Sequence, residues 1–184
     1  MTCRRSKWDE AVLASARLVG LVCLAGLATA FLPGLRGLGI LPRTLPGLVG
    51  IAFAPLLHAS TPHLLANVLP LFVLLALLFA DRGYRPGWTL GFIWVASGLG
   101  TWLIGRGEAV HLGASSIIYG LVAYLVASGL MMRSWRAVLV ASVVLLLYGG
   151  VWYGVLPQRG PVSWEGHLCG AVSGLIAARW RHGR

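Results

Sequence analysis

Ser115 stands in the run Gly113-Ala114-Ser115-Ser116-Ile117-Ile118-Tyr119, where a polar loop (residues 105–111) meets an almost charge-free stretch, residues 114–132. Small neighbours let a second backbone come close to its hydroxyl. The first turn of a helix offers unpaired N–H groups and a partial positive charge, and both suit an oxyanion forming beside a nucleophile. A serine there also commonly caps its helix, so the residue alone leaves both readings open. A nucleophilic serine needs a base, because its own pKa makes it a poor attacker. His167, in Ser163-Trp164-Glu165-Gly166-His167, is the candidate. No spare buried carboxylate is evident to orient its imidazole, which favours a Ser–His pair with Tyr119 packed against the ring. Glu165 is the nearest acid and is expected in the outer loop.

The elements that must position these groups are apolar. Of 184 residues, 58% are hydrophobic and 11% charged, and the mean hydropathy is +0.81. Soluble domains carry about a quarter charged residues, so the composition reads as an integral membrane protein. The formal net charge of +10 raises nucleic acid as a partner, but the cations are spread over loops and tails without forming a stripe. Lipid headgroups and topology explain them better. Cys3, Cys23 and Cys169 show neither a disulfide framework nor zinc spacing. No H-E-x-x-H or acidic cluster accompanies His58, His63, His111 and His167, so neither metal nor other cofactor is expected.

Six spanning helices are expected, within an all-α bundle. Residues 18–32 form the first apolar run, followed by residues 63–80, 88–104, 114–132, 137–156 and 166–180. The division is a polar segment 1–17, a membrane domain 18–181 and a tail 182–184. A cleaved signal peptide is the rival for the first run, since Ala28-Thr29-Ala30 resembles a cleavage site. A long leader carrying Asp9 and Glu10 argues against it. Residues 33–62 are rich in Gly and Pro; their middle, residues 45–57, suits the interface or a dip into one leaflet.

Cytoplasmic termini put Arg4, Arg5, Lys7, Arg17, Arg82, Arg85, Arg133, Arg136, Arg179, Arg181 and Arg184 inside, and only Arg36, Arg43, Arg106 and Arg159 outside. The second, fourth and sixth runs then begin on the same outer side. His63 and Asn67, Ser115, and His167 thereby come to similar depth, where polar groups are costly and usually functional. His63 and Asn67 share a helical face, as do Ser115 and Tyr119. His63 and Asn67 are open to a second reading as a structural pair bridging helices. Gly170 and Gly174 form a G-x-x-x-G that lets the sixth helix approach its neighbour. Ser116 is read as structural, His111 as a loop residue near the site's mouth, His58 as an organiser of the first loop, and His182 as solvated.

The residues His63-Leu64-Leu65-Ala66-Asn67, Gly113-Ala114-Ser115-Ser116 with Tyr119, and Gly166-His167-Leu168-Cys169-Gly170 occur in that order on alternate helices. The chain thus resembles the rhomboid intramembrane serine proteases of bacterial type, over about residues 53–180. The resemblance implies Ser115 as nucleophile, His167 as general base, and His63, Asn67 and the Ser115 N–H as oxyanion donors. It assigns supporting roles to Tyr119, Gly113, Gly170 and Gly174. It implies hydrolysis of peptide bonds in or near transmembrane segments of protein substrates, in a bacterial inner membrane. Two positions depart from the family's pattern: Ser116 replaces its usual Gly, and the Trp-Arg pair often found in its first loop is missing from residues 33–62. The alternatives are a non-catalytic rhomboid-like protein that binds membrane helices and, less well supported, a small transporter, for which paired broken helices and intramembrane carboxylates are lacking.

Overall fold

Serine, threonine and proline mark where the helices begin. In the computed structural model, which describes residues 6–158, 160 and 162–183, Ser6 and Asp9 form a reciprocal capping box that starts α1, Lys7–Phe31. This start lies well ahead of the apolar run itself. Thr44 caps α2, Leu45–Phe53, with Pro46 in its first turn. Ser60 caps α3, Thr61–Ala80, and Ser163 caps α7, Trp164–His182. Between them run α4, Pro86–Ile104; α5, Ser115–Met131; and α6, Trp135–Tyr148. Among the described residues there is no strand, only an isolated antiparallel bridge between Ile40 and His111. Cys3, Arg4, Arg5, Arg159 and Arg184 lie outside the described residues.

The protein is an all-helical integral membrane protein. Among the described residues, three stretches are long and apolar enough to cross a bilayer by themselves: Lys7–Phe31, Thr61–Ala80 and Arg82–Ile104. Leu24, Leu65, Leu69, Leu130 and Leu146 are each more than 60% exposed, an arrangement suited to lipid contact and not to water. α5 takes the centre. Every residue from Ile117 to Leu125 is buried, so its surroundings are protein on all sides.

One expectation needs correction. The fifth apolar run does not continue as α-helix to residue 156; α6 ends at Tyr148 and a 3₁₀ stretch, Gly149–Val155, follows. The adjacent Gly149 and Gly150 weaken the helix at that point. Within the loop 33–62, the apolar middle forms the short helix α2. α2 lies against α4, where the indole N–H groups of Trp94 and Trp102 donate to the carbonyls of Ile51 and Thr44 at 2.9 and 2.8 Å.

α7 packs most extensively on α5. A Cβ at Gly170 would run into the Ser116 carbonyl, and one at Gly174 into the Gly120 carbonyl. The two glycines therefore set how closely the helices approach.

Candidate functional site

Ser115 is the first residue of α5, and Ala114 before it provides no side-chain cap. The serine hydroxyl is thus not spent on its own helix. It hydrogen-bonds His167 Nε2 at 2.9 Å. His167 lies in the first turns of α7, brought there by the close approach at Gly170. Its Nδ1 lies 3.0 Å from the Gly154 carbonyl oxygen. A carbonyl only accepts, so Nδ1 carries the proton and Nε2 is left with a lone pair for the serine O–H. The orienting group that no carboxylate supplies is therefore a backbone oxygen from the 3₁₀ stretch after α6. Tyr119 stacks on the imidazole, with ring centroids 4.1 Å apart and planes 8° from parallel. A Cβ at Gly154 would strike the Tyr119 hydroxyl, so this corner admits only glycine without rearrangement.

His63 stands against Gly113. That glycine has φ +118°, and a Cβ there would come within 2.6 Å of the His63 ring. Both the left-handed backbone and the lack of space call for Gly. Asn67 is buried; its Nδ2 donates to the His63 carbonyl at 2.7 Å. Among the described residues the Ser115 N–H has no hydrogen-bonded acceptor, as befits the first position of a helix. The expected site residues His63, Asn67, Gly113, Ser115, Tyr119 and His167 thus lie at one end of the bundle, with Gly170 at the helix contact that brings them together and Gly174 one turn further along α7.

His58 is almost fully buried in the first loop, its ring 5.0 Å from that of His63. Burial first, and His63 second, bring its pKa down to about 4, against an opposing pull from the Leu56 backbone. It is neutral at neutral pH and faces the Ala114 N–H at 3.5 Å. His111 lies in its loop beside the Ser115 cavity and is buried there; its Nδ1 sits 2.6 Å from Ser163 Oγ, and burial lowers its pKa. His182 is not simply solvated, since its Nε2 lies 3.2 Å from the Tyr124 hydroxyl.

Two features of the site were not anticipated. A small cavity beside Ser115 and Ser116 is lined by Ser97, Thr101, His111 and Ser163, hydroxyl and imidazole groups scattered over three segments. The second is Glu165, which is buried in the first turn of α7 and not in the outer loop. It pairs with Arg106 at 2.7 Å, with side-chain exposures of 37% for the arginine and 2% for the glutamate. Arg106 also donates to the carbonyls of Gly160 and Val162 at 3.2 and 2.6 Å. This arginine fastens the loop after α4 to the start of α7, two residues from His167. Removing the arginine strands a buried carboxylate, and because Arg106 itself is more than a third exposed, the cost falls below the roughly 3–5 kcal/mol of a fully buried pair. Arg106→Ala should therefore lower the thermal unfolding temperature in detergent. Adding Glu165→Gln should recover part of the loss, because no stranded carboxylate then remains.

The family described as Rhomboid domain matches residues 46–184. An uncharacterised protein of Mycobacterium bovis and one of Mycobacterium tuberculosis are each 46% identical to the chain over 148 residues, covering 76% of it. An uncharacterised protein of Mycobacterium leprae is 44% identical over 138 residues, covering 70%. The chain spans 62% of the length of the first two relatives and 54% of the third. No solved structure matches the chain.

Proposed function

The chain belongs to the rhomboid family, and from that premise we propose that it is an intramembrane serine endopeptidase acting on the transmembrane segments of other proteins. The observation that carries this reading is the 2.9 Å hydrogen bond from Ser115 to a histidine nitrogen whose partner nitrogen is held protonated by the Gly154 carbonyl. As the scissile carbonyl approaches, the Ser115 oxygen attacks its carbon while Nε2 takes the hydroxyl proton. The carbonyl electron pair moves onto oxygen. The Ser115 N–H, His63 and Asn67 are the donors assigned to that oxyanion. Collapse of the tetrahedral adduct breaks the C–N bond, and the leaving amine takes the proton from His167. A water then attacks the acyl-serine with His167 again as base, releasing the acid and restoring Ser115. The hydroxyl-lined cavity beside Ser115 is a place from which that water can be drawn.

In this reading α1, α3, α4, α5, α6 and α7 are the six spans of an inner-membrane protein with both termini in the cytoplasm. Residues 18–181 are the membrane domain, and residues 1–17 and 182–184 are its cytoplasmic flanks. The site then opens to the outer face. The lipid bilayer and helical membrane segments are its partners, and neither nucleic acid, metal nor cofactor has a part. A helical substrate hides its carbonyls, so cleavage calls for local unwinding at small or helix-breaking residues.

A fluorophosphonate probe tests the proposal directly, because only an activated serine reacts. Labelling of the purified wild type that vanishes in Ser115→Ala supports it. An unlabelled wild type favours the non-catalytic reading, which Ser116, in place of the family's usual Gly, would suit. Ser116→Gly should keep or raise the cleavage rate, since it only removes bulk beside the oxyanion donors. A loss of about a hundredfold, on the order of one oxyanion donor, would mean that the turn is wrongly read.

A further inference from the structure

A groove at the end of the bundle opposite Ser115 opens between the start of α1, the end of α3 and the start of α6, with a volume of about 530 Å³. Lys7, Arg82 and Arg136 line it. None of the three is ion-paired with a described residue. Asp81, the one acid among the lining residues, caps the following turn by accepting the Gly83 N–H at 2.8 Å. Trp8 and Trp135 stand at the groove, 58% and 72% exposed, and the Arg136 guanidinium lies 5.6 Å from the Trp135 ring centroid. The floor is apolar, formed by Leu77, Leu139 and Val140.

We propose that this groove binds an anionic phospholipid, its phosphate held by Lys7, Arg82 and Arg136 and an acyl chain laid along Leu77, Leu139 and Val140. A cationic rim above an apolar floor, beside exposed tryptophans, matches a molecule that is anionic at one end and hydrocarbon at the other. The same charge disfavours a protein occupant. The cytoplasmic flank of a membrane-protein helix is itself enriched in Lys and Arg, so it would be repelled by three cations. The inference does not depend on the protease reading, since none of these residues touches the Ser115 site.

The test uses the whole purified chain in a neutral detergent, with phosphatidylglycerol and phosphatidylcholine as probes in native mass spectrometry. Wild type should favour phosphatidylglycerol by at least about tenfold, and each rim charge should contribute about fivefold. Lys7→Gln/Arg82→Gln/Arg136→Gln should therefore lose about a hundredfold in phosphatidylglycerol affinity. Arg85→Gln/Arg179→Gln, basic residues that do not line the groove, should keep the preference. Equal binding of the two lipids by wild type overturns the proposal, as does a triple variant that stays selective. Displacement of the lipid by millimolar inorganic phosphate would show the rim to be a site for free phosphate and would also overturn it. A photoactivatable phosphatidylglycerol on the unaltered protein provides an arm that no misfolded variant can obscure. Crosslinks at Leu77, Leu139 or Val140 support the site, and crosslinks confined to other surfaces refute it.

Discussion

Ser115→Ala and His167→Ala are each expected to lower cleavage of a transmembrane reporter by at least about 10⁴-fold, and the double variant to be no worse than either alone. The nucleophile and its base act as one unit. Without the imidazole the hydroxyl keeps its proton, and without the hydroxyl the imidazole has nothing to activate. The geometry makes the loss specific to chemistry. Ser115 is not capping α5, and among the described residues the imidazole hydrogen-bonds only Ser115 and Gly154, so Ser115→Ala should unfold close to the wild-type temperature, while His167→Ala also loses the stack on Tyr119. Cleavage in detergent measures the first expectation and thermal unfolding the second. Proteolysis that persists in both single variants would remove Ser115 and His167 from the mechanism.

Gly170→Val is expected to reduce fluorophosphonate labelling and cleavage by about a hundredfold or more, although the residue touches no reacting atom. Its Cβ would collide with the Ser116 carbonyl. That oxygen belongs to α5 backbone and cannot swing away as a side chain would. α7 must then lift off α5, carrying His167 away from Ser115. A shift of about 1 Å in a reacting group costs on the order of a hundredfold. Gly91→Ala in α4, where an added Cβ meets nothing within 4 Å, is the matched control and should leave the rate within about twofold. Equal loss in the two variants would point to general destabilisation and not to helix separation.

These two expectations draw on different amounts of sequence information. The shared depth of His63, Ser115 and His167 could be read from alternating helices and the distribution of arginine, because both follow from bilayer thickness and charge. Gly170 and Gly174 announced a close helix contact by their spacing alone. The start of α2 was also written in Thr44 and Pro46, but the surrounding glycines and prolines obscured it. The end of α6 was harder. Val155 and Leu156 prolong the apolar run past Tyr148, and hydropathy does not register a change of helical pitch. From sequence Glu165 reads as a loop residue, because burial of a carboxylate becomes intelligible only once its partner is known. That partner, Arg106, lies in a separate connection. The cavity hydroxyls of Ser97, Thr101 and Ser163 are ordinary helix and loop serines and threonines until the bundle gathers them.

The acceptor that holds the imidazole proton is part of the main chain at Gly154. Every amino acid placed at that position would keep the oxygen, so a substitution disturbs it only indirectly, as a Cβ at Gly154 would by pushing the segment off Tyr119. Genetics would return a two-member catalytic apparatus, while the third participant is displaced only when the segment bearing it moves. Control of such a group passes from residue identity to the position of the segment after α6, and a helix displaced sideways in the membrane could switch off the base without touching it.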